Sequence, residues 1–319
     1  MKMRKSIIVI CVITLLMLTS CFGGKAITAS VGGEVTGVGG FAFTEPTPYG
    51  MVAVKRGSLK MGLNQKDSLW GKETPVKEIS VDGFWMDETE VTNSEYKQFV
   101  NWIRDSIIRE RLADPAYGGD ETYKIEEDKQ GNPVKPHLNW NKPLPRKPNE
   151  DQLRALESVY VTNPITGEKM LDAAQMNYRY EVYDYAEAAL RKYRMKPEER
   201  NLNTDITVDP NEQVMISKDT AYIDDEGRIV RQTINRQLSG PWDFLNTYIV
   251  SVYPDTTCWI NDFPNANNET YMRLYFSSPV YNDYPVVGVS WEQANAFCNW
   301  RTEYLLKGLG AAARFVQRY

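Results

Sequence analysis

Histidine is nearly absent from this sequence, which contains one in 319 residues. Zinc sites, iron sites and catalytic triads built on imidazole usually need several histidines, or one that is held by fixed partners. The single histidine, His137, follows Lys135 and Pro136 in a proline-rich stretch, where we expect a solvated loop position. The sequence therefore predicts neither a metal site nor a histidine-based catalytic centre.

Excess positive charge is also lacking. Lysine and arginine number 37 against 42 aspartates and glutamates, which gives a formal net charge of −5. A protein that binds nucleic acid or anionic lipid headgroups usually carries a basic patch, so neither function is indicated. Acidic clusters at residues 87–90, 126–128 and 224–226 lack the spacing of an EF-hand, and we interpret them as solvated faces or turns.

The N-terminal apolar run is too short to cross a bilayer comfortably. It covers the 13 residues 6–18 after a basic start, whereas a spanning helix needs about 20 residues. We interpret residues 1–20 as a signal peptide. The order Thr19, Ser20, Cys21 at its end resembles the lipobox of bacterial lipoproteins. This resemblance implies that Cys21 is the lipid attachment site.

The composition of the rest of the chain indicates a tether followed by a folded body. Residues 21–48 are rich in glycine and small residues and are predicted to be a flexible tether. Beyond them, β-branched and aromatic stretches predict strands at residues 51–54, 59–62 and 76–86. These short strands indicate that the body begins near residue 49.

Two amphipathic helices are predicted, one near each end of the folded body. Thr92 and Glu95 have the spacing of a capping box, and apolar residues then recur at helical intervals over residues 93–109. Ser290 and Gln293 repeat this spacing before a second amphipathic run. Each pattern predicts a helix with one buried face.

The middle of the chain has a different character. Residues 114–148 are rich in proline, glycine, asparagine and charge, whereas residues 172–194 are predicted to be helical with a tyrosine-rich surface. Residues 218–231 predict a β-hairpin, because a turn sequence separates two alternating runs.

Few cysteines remain for the folded body. Cys11 lies in the signal peptide and Cys21 in the lipobox, so Cys258 and Cys298 can form one disulfide at most. The sequence does not decide whether they pair. Cys298 stands on the apolar face of the second predicted helix, where we expect a buried, structural thiol.

Three blocks, at residues 51–62, 81–100 and 284–301, resemble the formylglycine-generating-enzyme (sulfatase-modifying factor) family. The resemblance implies an irregular α+β fold related to C-type lectins, with residues 49–319 as the domain and an insertion at about residues 110–283. Two capped helices and several short strands favour the same class, because they exclude a bundle and a repetitive βαβ plan.

Two departures from the family bear on activity. The resemblance implies that catalytic members carry an active cysteine pair late in the domain, beyond the block that corresponds to residues 289–300 here. Neither Cys258 nor Cys298 matches that position, so no catalytic residue is transferred and no cofactor is expected. The chain also ends at Tyr319, where the family normally continues. We therefore expect the C-terminal part of the domain to be missing.

The lipobox, the domain type and the insertion together resemble the GldK/PorK family, lipoproteins of the gliding-motility and type IX secretion apparatus of Bacteroidetes. That resemblance implies a non-catalytic scaffold, lipid-anchored on the periplasmic face of the outer membrane. It also implies self-association in a ring with a periplasmic partner of the GldN/PorN type. Two other functions stay open: a copper-dependent formylglycine-generating enzyme, and a lectin-like binding lipoprotein.

Aromatic and arginine side chains in the insertion suggest where such a partner binds. These residue types are enriched in protein interfaces, although the insertion could instead pack them against its own domain. The candidate interface residues are Tyr178, Tyr180, Tyr183, Tyr185, Arg191 and Tyr193.

Overall fold

A computed structural model describes residues 47–62, 76–128, 130–164, 167–196, 199–200, 213–261 and 264–309. The predicted signal peptide, Cys21 and nearly all of the predicted tether lie outside these ranges, as do residues 310–319. The described residues belong to one compact unit, Thr47–Tyr319. Within them, no helix has the length and apolar character that crossing a membrane requires.

Short antiparallel ladders and helices alternate along the described part of the chain. The paired strands are β1 (Met51–Val54) with β4 (Phe84–Asp87), β2 (Gly57–Met61) with β3 (Lys77–Val81), β5 (Lys124–Glu127) with β6 (Pro133–Leu138), β7 (Tyr160–Thr162) with β8 (Lys169–Leu171), β9 (Asn177–Tyr183) with β12 (Leu245–Ser251), and β10 (Met215–Ile223) with β11 (Ile229–Gln237). The helices are α1 (Asn93–Ala113), α2 (Glu150–Glu157), α3 (Tyr185–Ala188), α4 (Cys258–Asn261), α5 (Glu269–Leu274) and α6 (Trp291–Leu309). This mixture confirms the α+β class.

Both predicted capping boxes are present. The Thr92 N–H donates to the Glu95 carboxylate at 2.8 Å, and the Glu95 N–H donates to Thr92 Oγ1 at 3.3 Å. Ser290 and Gln293 make the equivalent bonds at 2.8 and 3.2 Å. These bonds satisfy N–H groups that the start of a helix leaves unpaired. The predictions of α1 and α6 are therefore confirmed, although α1 extends to Ala113.

The apolar faces of α1 and α6 meet through aromatic rings. Phe99 is fully buried, and its ring centroid lies 5.1 Å from that of Trp300 and 5.2 Å from that of Tyr178. Tyr96 stacks on Phe297 at 5.5 Å. The Tyr96 hydroxyl donates at 2.9 Å to a backbone carbonyl beside β12, so this buried phenol keeps a partner. Ring packing between the two helices forms the centre of the core.

The predicted insertion shares this core. Tyr178 of β9 and Val252, which follows β12, belong to the same buried cluster as the helices. Gln293 in the first turn of α6 donates from Nε2 to two backbone carbonyls at the end of β12, both at 2.9 Å. The β9–β12 ladder is therefore fastened to α6.

Two of the blocks that carry the family resemblance lie side by side, although they are far apart in sequence. The Val286 N–H donates to the carbonyl of Val91 at 2.9 Å, and the Asn93 N–H donates to that of Tyr284 at 2.8 Å. Both contacts join residues 81–100 to residues 284–301. The start of α1 is thus fixed by the segment that leads into α6.

The prediction that residues 172–194 are helical is wrong. Asn177–Tyr183 form a strand, β9, and only Tyr185–Ala188 form an α-helix. Buried Tyr178 is followed by exposed Arg179 and half-buried Tyr180, which is the period of two that a strand requires. The partner strand, β12, lies far along the chain, so local patterns did not reveal the pairing.

The strand predictions at the start of the body and the hairpin prediction in the middle of the chain are confirmed, with shifts in their bounds. β10 and β11 form the hairpin predicted at residues 218–231, and Gly227 occupies its turn with φ of 80°. The stretch predicted at residues 76–86 is two strands, because Asp82 and Gly83 separate β3 from β4. A positive φ at Gly227 explains why glycine suits that position.

A buried carboxylate fixes the turn that leads into β12. Asp243 is fully buried, and its Oδ2 accepts bonds from the Ser239 N–H at 2.6 Å, the Ser239 hydroxyl at 2.9 Å and the Gly240 N–H at 2.9 Å. Arg236 Nη2 lies 3.0 Å from Oδ1. Burial alone raises a carboxyl pKa, but these donors and Arg236 hold the pKa of Asp243 below its ordinary value.

Asp243→Asn is expected to lower the free energy of unfolding by about 2 kcal/mol at pH 7, because the amide NH2 then faces the Arg236 guanidinium. The folded-state pKa lies below the unfolded one, so the carboxylate stabilises the fold above about pH 4 and loses this effect as the pH falls through the folded pKa. Urea unfolding at pH 7 and at pH 3 measures the loss of stability and its dependence on pH. Asp225→Asn, an exposed control, should change little. An equal loss at both pH values would indicate a steric cause.

Candidate functional site

A groove opens between the β9–β12 ladder, the β10–β11 hairpin and helix α6. It encloses about 970 Å³, which lies within the usual range of ligand-binding clefts. The hairpin is fastened to the ladder because the Asp219 N–H donates to Asn246 Oδ1 at 3.0 Å. Since Gln293 ties α6 to the same ladder, hydrogen bonds connect all three walls.

Five aromatic side chains line the groove. Tyr180 of β9 and Tyr248 of β12 are cross-strand partners whose ring centroids lie 5.5 Å apart. Tyr183 and Tyr185 lie 4.7 Å apart where β9 ends. Trp291, the first residue of α6, is 80% exposed. Exposed rings that cluster beside polar groups mark a surface suited to binding.

An ion pair bridges two walls of the groove. Arg231 of β11 donates from Nη1 to Glu292 Oε1 and from Nη2 to Oε2, each at 2.7 Å. These bonds raise the pKa of Arg231 and lower the pKa of Glu292, so both groups stay charged. About half of each side chain is exposed, so the pair is accessible to a ligand and contributes little to stability.

The groove carries an excess of negative charge. Its charged lining residues in the described part of the chain are Glu181, Asp219, Glu292, Glu303 and Arg231. Burial raises the pKa of Tyr180; neighbouring Tyr248 and Glu292 raise it further, and Arg231 opposes this. Burial also raises the pKa of Tyr248, and Asp219 and Asp184 raise it further.

Three of the predicted interface residues lie together in the groove, namely Tyr180, Tyr183 and Tyr185. Tyr185 is the most exposed of them, at 74%. Arg191 and Tyr193 lie outside the groove lining, in a turn after α3; Arg191 is exposed and Tyr193 is half-buried. The structure thus brings half of the predicted set into one site.

Tyr178 is a core residue. Only 9% of it is exposed, its ring packs on Phe99, and its hydroxyl donates to Asn299 Oδ1 at 3.0 Å. Its ring also stacks on Tyr180 at 5.6 Å, which connects the core to the groove. Burial therefore corrects its assignment to the partner surface, because a partner cannot reach this side chain.

The expectation that Cys298 is buried is wrong, since Cys298 is exposed and lines the groove. It neighbours buried Phe297, but successive residues of a helix point in directions about 100° apart. Desolvation in the groove raises the pKa of the Cys298 thiol; Asp87 raises it further and Arg301 opposes this. In the described part of the chain, Cys258 and Cys298 are not joined by a disulfide.

The remaining titratable candidates lie elsewhere. His137 is exposed on β6 rather than in a loop, and its Nδ1 lies 3.1 Å from the carbonyl oxygen of Lys135. Asp224 stabilises the hairpin turn by accepting from the Arg228 N–H at 2.7 Å and from its guanidinium at 2.9 Å. Among the residues whose placement is described, no three or more His, Cys, Asp or Glu side chains form a group that could hold a metal ion.

Most groove residues were not predicted from the sequence, and they include Arg231, Tyr248, Trp291 and Glu292. Alternation along β11 offered a signal for Arg231, because it shares a face with Thr233. Its pairing with Glu292, 61 residues further along, had no local signal. The site depends on contacts between distant strands and α6.

Fold and groove together define an α+β domain with an acidic, aromatic cleft. A sequence model of the sulfatase-modifying factor enzyme 1-like domain matches residues 41–201, just over half of the chain. The chain therefore belongs to this family. The match spans the first two blocks that carry the resemblance, and β9, one wall of the groove. No curated protein and no solved structure matches the chain.

Proposed function

We propose that this chain is a non-catalytic scaffold of the GldK/PorK type in the type IX secretion and gliding-motility apparatus. Lipid on Cys21 holds it on the periplasmic face of the outer membrane. It associates with itself and with a GldN/PorN-type periplasmic protein in a ring. The lipobox-like N-terminus and membership of the sulfatase-modifying factor family support this proposal.

The groove is the observation that carries the proposal. Tyr183, Tyr185 and Trp291 offer exposed or half-exposed aromatic surface, and tyrosine and tryptophan often supply most of the binding energy of protein interfaces. The thiol in the groove, Cys298, has a raised pKa, whereas a nucleophilic thiol needs a lowered one. The groove thus suits a contact surface better than thiol chemistry.

The fold that we propose for residues 49–319 is the C-type-lectin-like fold of formylglycine-generating enzymes, with residues 110–283 as an elaboration. Short paired strands and two long helices around one aromatic core support it. The contact between residues 81–100 and residues 284–301 supports it further, because the flanks of the elaboration meet directly.

Replacing Tyr185 with alanine tests the groove as the partner surface. Because a central aromatic anchor often accounts for 1–2 kcal/mol of binding, the variant should recover about tenfold less of the GldN/PorN-type partner. The measurement is affinity purification of the full-length lipoprotein from detergent-solubilised membranes, followed by quantification of the partner. Tyr160→Ala, which removes an exposed tyrosine of β7 that does not line the groove, is the matched control.

Four outcomes separate the alternatives. If the wild-type protein recovers no such partner, the scaffold function is wrong; if Tyr185→Ala and Tyr160→Ala behave alike, only the groove assignment is wrong. Formylglycine formation on a sulfatase-motif peptide with copper, abolished by Cys298→Ser or Cys258→Ser, would establish the enzymatic alternative. Glycan binding that Tyr185→Ala abolishes, without any protein partner, would establish the lectin-like one.

A further inference from the structure

We infer that the groove between the β9–β12 ladder, the β10–β11 hairpin and α6 binds a basic segment of a partner protein, one whose lysine or arginine side chains alternate with apolar ones. This inference rests on the proposed function, because it specifies the chemistry of the partner that the scaffold binds. It commits to a cationic peptide as the occupant.

Charge complementarity is the first support. The described lining residues carry four carboxylates and one guanidinium; Glu303 has an interaction of its own, and the other three carboxylates still exceed the guanidinium by two negative charges. The pair of Glu181 with Arg179, which lies beyond the lining, is long at 3.8 Å and exposed. Such a pair gains little energy in water, so it neutralises Glu181 only weakly. A neutral or acidic segment would leave this negative potential uncompensated.

The aromatic lining is the second support, and it favours the same occupant. The faces of tyrosine and tryptophan rings attract cations, and tryptophan does so most strongly. The chain already uses this contact beside the groove, where Lys192 Nζ lies 4.4 Å from the ring centroid of Tyr193. In the groove itself, Trp291 and Tyr185 are largely exposed members of a lining that also carries carboxylates. Aromatic rings and carboxylates together suit a cation with apolar neighbours.

The Arg231–Glu292 pair indicates how the site works. The guanidinium of Arg231 makes the bidentate contact with Glu292 that an arginine of a partner would make. Because about half of each side chain is exposed, an incoming cation can displace Arg231 without unfolding a wall. Arg231 therefore competes with a cation of the partner for the Glu292 carboxylate.

Substitutions at this pair should change affinity in opposite directions. Arg231→Gln removes the competitor and makes the groove more negative, so binding of a basic peptide should tighten about fivefold. Glu292→Gln removes the acceptor and leaves Arg231 to repel the ligand, so binding should weaken by at least the same factor. A purely structural role of the pair predicts weaker binding in both variants.

The probe is a fluorescein-labelled decapeptide of sequence KVYKVYKVYK, with EVYEVYEVYE as its acidic counterpart. Fluorescence anisotropy measures their binding to the full-length lipoprotein in detergent, in 50 mM and in 300 mM NaCl. We expect binding of the basic peptide alone, weakened by salt because its charges are partly exposed. Arg228→Gln and Glu226→Gln make the same charge changes at the hairpin turn, outside the groove lining, and should leave affinity unchanged.

The inference is overturned if the acidic peptide binds as well, if Arg231→Gln weakens binding, or if Arg228→Gln has the same effect as Arg231→Gln. It is also overturned if no peptide binds and Tyr185→Ala dissociates a self-associated form, because a second copy then occupies the groove. Its failure is distinguishable from that of the proposed function. Partner recovery that depends on Tyr185 can persist without binding of the basic peptide, and the peptide can bind although no GldN/PorN-type partner is recovered.

Discussion

Replacing Cys21 with alanine is expected to move almost all of the protein from the membrane fraction to the soluble fraction, or to block its maturation. Under the proposed function the lipid is attached through the Cys21 thiol, so the variant has no acyl chain. Two or three acyl chains give stable anchoring, whereas one acyl chain is marginal. The polypeptide itself is acidic, so it gains no attraction from anionic headgroups. Fractionation and incorporation of labelled palmitate in the native host measure both effects.

Cys298→Ala is the matched control for this prediction, because it removes an exposed thiol of the folded body and leaves the lipobox-like sequence intact. It should retain both membrane association and palmitate. Wild-type protein that takes up no palmitate, together with membrane association that survives Cys21→Ala, would eliminate the lipoprotein assignment and with it the anchored scaffold.

Local sequence was sufficient for the two long helices. Thr92 with Glu95, and Ser290 with Gln293, satisfy the N–H groups of the first turn within four residues of chain. The apolar spacing that follows each cap then defines the face that packs in the core. Such information is contained in one short window, so the prediction did not depend on the rest of the fold.

Strand pairing over long distances was not accessible in the same way. The tyrosine-rich segment around β9 contains helix formers, and its strand form is fixed by pairing with β12, which a single window does not contain. The Cys298 prediction was wrong for a related reason. The helix was correct, but the β10–β11 hairpin and β9–β12 ladder leave a groove beside Cys298 instead of covering it.

The candidate site was therefore only partly predictable. Residue type made Tyr180, Tyr183 and Tyr185 interface candidates, because tyrosine is enriched in protein interfaces. The ion pair of the groove joins Arg231 of the hairpin to Glu292 of α6, and these two elements meet only in the folded chain. Composition predicted that the protein is acidic overall, but not that acidic side chains gather in one cleft.

Phe99→Ala is expected to lower the free energy of unfolding by about 3–5 kcal/mol. Phe99 is fully buried, and its ring contacts Trp300, Tyr178 and Phe297, so truncation leaves a cavity between α1 and α6. This loss is comparable with the total stability of many domains, about 5–15 kcal/mol. Urea unfolding of the full-length protein in detergent, followed by tryptophan fluorescence, measures the change.

Two further variants separate the cavity from a general effect of losing a phenylalanine. Phe84→Ala truncates a phenylalanine of β4 that is 39% exposed, so it should cost less than about 1.5 kcal/mol. Phe99→Leu keeps most of the apolar volume and should cost clearly less than Phe99→Ala. Because Tyr178 packs edge-to-face against Phe99 and stacks on Tyr180, Phe99→Ala should also weaken binding of the basic peptide. Equal costs for Phe99→Ala and Phe84→Ala would contradict the central role of this ring.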